Sequence, residues 1–361
     1  MNDQPRETPL SPNRAHRALF ADIRPRLTFD PAADLEAWRR ELAGALSSVI
    51  GTLPVPVALE PTWFPAERSE HATIQRVEFS VELELRAVGW LVTPPDRAAV
   101  PSPRPTMICL QGHSSGGHIS LGRTIFPEDP SALAEDHDYA LQAVAHGYNA
   151  FVLEQRAFGE REDGRSLADR KHFNPENPHT DERCRHLSMV ALLLGRTLLG
   201  ERVHDVKCAV SLIEPLPQVD PGRVGIMGNS GGGTASYYAA ALDDRIAAVM
   251  PGCSVAPYAE SIGAIDHCSD NYLPGAYVHF DMPDIAGLIA PRPLVLVSGE
   301  QDPIFPIEAT RAAAEHIQHI YDSAGAPGCL RHHVGPGGHR FYRDAWTDFV
   351  EATGWSAAGP S

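Results

Sequence analysis

The sequence is poor in basic residues and has no closely spaced pair of cysteines. Lys and Arg together number 30 against 46 Asp and Glu, which gives a formal net charge of −16 at pH 7. A surface this acidic repels phosphate backbones and anionic lipids, so we expect no nucleic-acid or membrane partner. The six cysteines are scattered without a C-x-x-C motif, which favours isolated, reduced thiols over a disulfide framework.

Two further absences concern targeting and metal binding. The N-terminal segment MNDQPRETPLSPNRAHR lacks the apolar stretch of a secretory signal, and no apolar run reaches the roughly 18 residues of a membrane span. We therefore expect a cytoplasmic protein. The histidines show no H-E-x-x-H pattern, so we expect neither a metal nor a cofactor. Nothing in the sequence excludes a homo-oligomer.

The first regular element is a helix. Residues 1 to about 29 are polar and rich in Pro and Arg, and we expect them to be partly disordered. Asp30 and Pro31 predict the start of a helix and Gly51 its end. Between them, apolar residues recur at helical spacing: Leu35, Trp38, Leu42, Leu46 and Val49. This apolar stripe predicts packing against the rest of the protein.

Short apolar runs alternate with amphipathic stretches along the remaining chain. Residues 77–85 alternate apolar with polar side chains, which predicts a half-buried strand with a hairpin partner at 90–92. The later predicted strands are 106–110, 150–153, 224–227, 246–250, 293–297 and 329–333. The predicted helices are 138–146, 186–199, 206–213, 234–242 and 342–353. This order predicts the α/β class, with a mostly parallel central sheet flanked by helices.

These elements divide the chain into two parts. We predict an N-terminal extension over residues 1–60, with one helix packed on the core, and a catalytic domain over 61–361. Insertions near 156–186 and 254–283 follow strand ends, where such sheets bind ligands. Their aromatic and histidine side chains are candidates for a substrate pocket, although each could merely pack its insertion: Tyr258, Tyr272, Phe173, His172, Tyr277 and Phe280. We expect Arg156 to brace its loop.

The strongest chemical signal is the segment Gly228-Asn229-Ser230-Gly231-Gly232, which lies between a predicted strand and a predicted helix. A nucleophilic serine in such a strand-to-helix turn adopts strained backbone angles, and glycines on either side avoid collisions with neighbouring elements. The following helix adds positive potential where an oxyanion would form. The sequence therefore predicts Ser230 as a nucleophile.

A serine nucleophile needs a base and an acid behind that base. His339 follows the last predicted strand in the glycine-rich loop GPGGHRFY, which can reach the rim of the sheet, whereas His332 and His333 lie within that strand. The loop SGEQDPIFP after the preceding strand offers Asp302 and Glu300 as the acid. We favour Asp302, with Glu300 as the alternative. The order Ser230, Asp302, His339 is that of α/β hydrolases.

The oxyanion of an acyl-transfer reaction requires two backbone N–H donors. The first predicted donor is Gly231, directly after the nucleophile. The second is expected from the loop QGHSSGGH after the 106–110 strand, where Gly112 and His113 are both candidates.

Several segments together resemble a known group of proteins. The segments LQGHSSGG, DYALQAVAHGYNAFVLEQRAFGER, GIMGNSGGG, LIAPRPLVLVSGEQDPIFP and GGHRF are similar to bacterial α/β hydrolases of the acetyl xylan esterase-like and dienelactone hydrolase-related families. The resemblance extends from about Trp38 to about Gly354. It implies an α/β-hydrolase fold with Ser230 as nucleophile, Asp302 as acid and His339 as base. Dienelactone hydrolases themselves use a cysteine nucleophile, which this chain replaces by serine.

The sequence therefore predicts a serine-dependent carboxylic ester hydrolase that acts on a small-molecule ester through an acyl-enzyme. The resemblance implies short acyl groups, acetyl in particular. Two other functions remain open. One is an amidase or peptidase related to prolyl oligopeptidases, although the N-terminal region is too short for a propeller domain. The other is a non-catalytic binding protein on a hydrolase scaffold.

Overall fold

A computed structural model describes residues 10–95, 103–162 and 182–355, without the side chains of residues 182 and 183. The strands are β1 (Thr62–Trp63), β2 (Glu67–Arg68), β3 (Thr73–Glu82), β4 (Leu85–Thr93), β5 (Arg104–Leu110), β6 (Asn149–Leu153), β7 (Val219–Asn229), β8 (Ala248–Gly252), β9 (Leu294–Gly299) and β10 (Leu330–Gly335). The helices are α1 (Pro12–Asp22), α2 (Leu35–Val49), α3 (Asp129–Ala134), α4 (Tyr139–Ala145), α5 (Glu182–Leu193), α6 (Leu198–Ile213), α7 (Gly231–Leu242), α8 (Ala276–His279), α9 (Ile307–Ser323) and α10 (Ala345–Thr353).

The strands form one sheet in the order β1-β3-β4-β6-β5-β7-β8-β9-β10, with β2 paired to β3. The pairs from β6 through β5, β7, β8 and β9 to β10 are all parallel. The strands β1 to β4 join the sheet by antiparallel pairing. The carboxyl ends of six parallel strands therefore lie along one edge, which is where ligands bind in sheets of this kind.

Both faces of the sheet are buried, as the nearly continuous apolar strands require. Successive side chains of a strand point to opposite faces. In β5, Ile108 and Leu110 accordingly belong to the larger apolar cluster, with α2, α6, α7 and α9. Met107 and Cys109 belong to the cluster on the other face, with α4 and α10. The α/β class and the mostly parallel sheet predicted from the sequence are confirmed.

The N-terminal region contains two helices where the sequence predicted one. The helix α2 begins at Leu35 rather than at Pro31, because Asp34 caps it by accepting from Ala37 N at 2.7 Å. Asp30 instead accepts from Ala32 N in the preceding turn. The unpredicted helix α1 buries no residue completely.

The helix α2 packs on the core through the face that the sequence predicted. The Trp38 ring fills the space at Gly287, where a Cβ atom would lie only 2.2 Å from it. Its Nε1 donates to Leu27 O at 2.8 Å. The helix α1 makes a lighter contact with the rest of the chain, since Phe20 lies edge-on against Tyr277 with ring centroids 4.7 Å apart.

Other elements also differ from the predictions. Leu85 begins β4 rather than ending β3, because the chain turns at Glu84 with φ 61°. The helix predicted over 186–199 ends at Leu193, where Gly195 takes φ 69° and Thr197 caps α6 by accepting from Gly200 N. The helix α9 was not predicted. None of the helices in the described ranges has both the length and the apolar character needed to cross a bilayer.

Candidate active site

Ser230 lies at the turn between β7 and α7, near the carboxyl edge of the sheet. Its backbone adopts φ 55° and ψ −124°, a left-handed φ that non-glycine residues rarely take. Its N–H donates to Gly252 O at 2.8 Å, which fixes the turn to β8. A Cβ atom at Gly232 would lie 2.3 Å from Leu110 O. The absence of a side chain there lets the start of α7 pack directly on the end of β5.

The loops after β9 and β10 bring Asp302 and His339 together. The Nδ1 atom of His339 and the Oδ2 atom of Asp302 are 2.8 Å apart. The Oδ1 atom of Asp302 accepts from the N–H groups of Ile304 at 2.8 Å and Phe305 at 3.1 Å. Burial raises the pKa of the Asp302 carboxyl, but the interaction with His339 and the backbone donors outweigh it and hold that pKa below its ordinary value. The carboxylate is thus ionised and fixed in place.

The alternative acid, Glu300, points elsewhere. Its carboxylate accepts from Arg311 Nη2 at 3.0 Å and 3.2 Å, and its side chain is 46% exposed.

The imidazole of His339 stacks on Phe305, with ring centroids 6.1 Å apart. Its Nε2 atom is buried and makes no hydrogen bond to any residue that the structure describes. This nitrogen is therefore available to accept a proton.

Ser230 and His339 line one cavity of about 870 Å³. Gly112 and His113, the two candidate oxyanion residues, line it as well, and Asn229, Pro303 and Ile304 complete this side. A volume in this range suits a small-molecule ligand. A further part of the cavity lining comes from the segment 127–137, which contributes the carboxyl-bearing residues Glu128, Asp129 and Glu135. The sequence analysis did not single out this wall.

The loop after β5 lies directly against the nucleophile turn. A Cβ atom on Gly112 would lie 2.5 Å from Asn229 O and 3.1 Å from Ser230 Cβ. The buried Glu154 stabilises this loop by accepting a hydrogen bond from Gly117 N at 2.9 Å. Gly231, the other predicted donor, begins α7. The predicted oxyanion residues thus flank Ser230.

A second hydrogen-bonded group holds the cavity wall. The buried carboxylate of Asp129 accepts from Ser115 Oγ and lies 2.8 Å from His118 Nε2. It also accepts from the N–H groups of Ile125 and Phe126 at 2.7 Å and 2.8 Å. Burial raises the pKa of Asp129, but these donors hold it below its ordinary value. This network fixes the 127–137 segment against the loop after β5.

The predicted pocket aromatics lie away from this cavity. Tyr258 is buried and shares a short hydrogen bond with Tyr238 Oη. Tyr272 donates to Ile262 O at 3.0 Å and lines a separate cavity. Tyr277 and Phe280 belong to the core cluster that contains Tyr258. Phe173 and His172 lie outside the described residues. Tyr258 and Phe280 are thus buried in the core, whereas Tyr272 is partly exposed and lines the separate cavity.

Arg156 braces its loop, as predicted. Its Nε and Nη2 atoms donate to the two carboxylate oxygens of Asp205, each at 2.9 Å. Arg161 Nη1 donates to the same carboxylate at 2.6 Å. Burial raises the pKa of Asp205, but the two guanidinium groups outweigh it and hold that pKa below its ordinary value. The loop after β6 is therefore tied to α6.

Two groups of described side chains have the composition of metal ligands. One consists of Cys253 with the Asp302 and His339 pair already described. The other brings together His113, Cys184, Cys268 and Asp270 behind the oxyanion loop. The sequence analysis expected no metal and recognised neither group, because their members come from separate loops and helices.

The strand order, the two covered faces and the serine turn define an α/β hydrolase. The chain belongs to the Abhydrolase family, whose sequence profile matches residues 7–334. The family resemblance noted in the sequence is therefore confirmed, as is the predicted fold class.

One protein of related sequence and two solved structures are similar to this chain. A Bacillus subtilis (strain 168) protein assigned as a hydrolase, YtaP, is 25% identical over 296 residues, which cover 81% of this chain and 91% of YtaP. The crystal structure of a Bacteroides fragilis NCTC 9343 protein assigned as an acetyl xylan esterase has a TM-score of 0.71 and 19% identity, covering 92% of this chain and 84% of that one. A glucuronoyl esterase from Solibacter usitatus has a TM-score of 0.66 and 18% identity, covering 92% and 98%.

Proposed function

We propose that this protein is a serine-dependent carboxylic ester hydrolase with Ser230 as nucleophile, His339 as general base and Asp302 as the acid behind it. The observation that carries the proposal is the 2.8 Å contact of Asp302 with His339 on the same cavity as the strained Ser230. A carboxylate on Nδ1 holds the proton there, which leaves Nε2 able to accept the proton of the serine hydroxyl.

The reaction proceeds by two-step acyl transfer. His339 takes the proton of Ser230 as its oxygen attacks the ester carbonyl, and the N–H groups of Gly231 and of Gly112 or His113 hold the oxyanion. His339 then returns the proton to the leaving alcohol. Water, activated by the same imidazole, hydrolyses the acyl-enzyme and releases the acid. The structure shows no Ser230–His339 hydrogen bond, and such contacts often tighten only when substrate binds.

The cavity favours an uncharged ester. Among the described residues that line it are Glu128 and Glu135, besides Asp129 whose buried carboxylate is engaged in hydrogen bonds, and no Lys or Arg. A negative wall disfavours anionic substrates and assists release of the anionic product acid. Structural neighbours assigned as acetyl xylan and glucuronoyl esterases support an ester of a carbohydrate or another small molecule, with acetyl as the first choice of acyl group.

Substitution of the nucleophile tests this proposal. Ser230→Ala should lower turnover of p-nitrophenyl acetate by about 10⁴-fold or more while the protein stays folded. Ser211→Ala, on the exposed part of α6, is the matched control and should retain full activity. A Ser230→Ala enzyme with the wild-type rate would end the assignment.

Substrate panels test the predicted acyl-chain length, the preference for an uncharged ester, and the preference for an ester over an amide. Across p-nitrophenyl esters from acetate to octanoate, kcat/KM should be highest for the short chains. The neutral acetate ester should exceed the negatively charged hemisuccinate ester. The matched p-nitroacetanilide, an amide, should be hydrolysed far more slowly than the acetate ester. Preference for the amide or for octanoate would instead favour an amidase or a long-chain acyl pocket.

A further inference from the structure

Behind the oxyanion loop, four side chains with metal-binding atoms converge in a site that ester hydrolysis does not use. His113 follows Gly112 in the loop after β5, and Cys184 lies in the first turn of α5. Cys268 and Asp270 come from the turn around 268–271 in the second insertion. Their ligand atoms all lie within 4.8 Å of one another. All four side chains are at most 5% exposed.

We propose that His113, Cys184, Cys268 and Asp270 form a structural site for one zinc ion. Two thiolates, an imidazole and a carboxylate are ligands that zinc takes in tetrahedral sites. Four protein ligands fill the tetrahedral coordination of zinc, which is the arrangement of a structural site rather than a catalytic one. The ester hydrolysis proposed above uses none of these four side chains, although the backbone N–H of His113 is a candidate oxyanion donor and His113 lines the Ser230 cavity.

Two of the distances between ligand atoms are close to those around a single tetrahedral ion. Bonds of roughly 2.0–2.1 Å to nitrogen and oxygen and about 2.3 Å to sulfur place an N and an O ligand about 3.4 Å apart, and an S and an O ligand about 3.6 Å apart. In the structure, His113 Nε2 lies 3.3 Å from Asp270 Oδ2, and Cys184 Sγ lies 3.9 Å from the same oxygen. These two distances differ from the tetrahedral values by a few tenths of an ångström or less, and the remaining pairs of ligand atoms lie within 4.8 Å of one another.

Arg202 supplies the surrounding charge and hydrogen bonds. This buried guanidinium pairs with Asp270 Oδ2 and lies 3.5 Å from Cys184 Sγ. Two further donations to Arg156 O hold it in place. Hydrogen-bond donors to the ligands of a metal typically orient them. Two thiolates and one carboxylate are balanced by a divalent cation together with Arg202, so the occupied site would carry no net charge.

The position of the site would let the ion link three segments of the chain, and a cavity beside it offers a route of entry. It would join the oxyanion loop to α5 and to the second insertion, three segments that are far apart in the chain. The ring of His113 also lies against Gly231, where an ideal Cβ would be 3.0 Å from His113 Cε1. Cys268 lines a surface cavity of about 470 Å³, through which an ion can enter.

Metal analysis of the full chain tests the proposal. The protein is purified without a metal-affinity step, supplied with zinc sulfate and desalted, and its metal is measured by plasma mass spectrometry. Wild type and the Cys329→Ser control, which alters a cysteine outside the site, should hold about one zinc per chain. The Cys184→Ser/Cys268→Ser double variant should lose it. A zinc content at background in wild type, or undiminished in the double variant, would refute the site.

Cobalt substitution gives a readout that does not depend on folding of the variant. Wild-type protein loaded with Co²⁺ should show thiolate-to-cobalt charge transfer in the near ultraviolet and strong tetrahedral ligand-field bands in the visible. Absence of both overturns the proposal. A Cys184–Cys268 disulfide in protein isolated without reductant, detected by thiol titration and peptide mapping, also overturns it, because disulfide sulfurs cannot act as thiolate ligands.

Discussion

The Asp302→Asn substitution tests the catalytic role of the carboxylate while it keeps the hydrogen bonds that hold the loop. Asparagine keeps the Oδ1 acceptor for the N–H groups of Ile304 and Phe305, so the loop should keep its conformation. An amide N–H₂ would face Nδ1 of His339, which then becomes an acceptor and carries its proton on Nε2. In that tautomer the imidazole cannot take the proton of Ser230, and the imidazolium loses its counter-charge.

The expected loss of kcat follows from this change of tautomer. A carboxylate-to-amide change at this place in a serine triad lowers kcat by about 10⁴-fold, which corresponds to about 5.5 kcal/mol of transition-state stabilisation. The assay is steady-state hydrolysis of p-nitrophenyl acetate, with circular dichroism to verify folding. KM should change little, because Asp302 contacts the imidazole rather than the ester.

Glu300→Gln is the matched control for the same reaction. Glu300 pairs with Arg311 at the surface and does not contact His339, so the variant should keep its activity within about twofold. A folded Asp302→Asn enzyme within tenfold of wild type would refute the assignment of the acid. A greater loss in Glu300→Gln than in Asp302→Asn would transfer the role to Glu300.

Three further substitutions test the packing that supports the site. Asp205→Asn removes the carboxylate that the buried Arg156 and Arg161 share, although Arg156 keeps Glu82 and Glu201, and should destabilise the protein by about 3–5 kcal/mol in denaturant unfolding at pH 7. Because the folded pKa of Asp205 is depressed, its contribution is present above the ordinary pKa of about 3.9 and is lost as the pH falls from there through the folded pKa, so the difference from wild type should narrow as the pH is lowered through that range. Gly232→Ala should prevent correct assembly of the nucleophile turn, since its Cβ would lie 2.3 Å from Leu110 O, and thermal melting and activity should both fall. Gly44→Ala, in α2 with nothing within 4 Å of the added atom, should instead raise the free energy of unfolding by about 1 kcal/mol. An unchanged Asp205→Asn or a fully active Gly232→Ala would contradict these assignments.

The sequence predicts best where one local rule controls the backbone. The run from β7 through Ser230 to α7 was predictable, because the glycine spacing around the serine is required by a single tight turn. The division between α5 and α6 was not, since Leu194 and Leu198 continue the apolar pattern across Gly195, which turns the chain. The helix α9 was missed although its buried residues, which include Ala313, Ile317 and Ile320, recur at helical spacing and were readable from the sequence.

Contacts between distant segments were harder to predict. The direction in which a ring faces depends on tertiary packing, so Tyr258 could not be assigned to the core instead of the pocket from its position in an insertion. The cluster of His113, Cys184, Cys268 and Asp270 comes from three separate segments and follows no zinc motif. Asp302 and His339 were identified as candidates because each follows a strand on the same sheet edge, but only the coordinates show that Asp302, and not Glu300, contacts His339.

The most direct test of the account is covalent trapping of the nucleophile. The full chain is treated with a fluorophosphonate, digested and mapped by tandem mass spectrometry, in parallel with His339→Ala. The account predicts a single adduct on Ser230 in the wild-type protein and strongly reduced labelling in the variant. An active enzyme that carries no adduct on Ser230, or that is labelled at another residue, would contradict it.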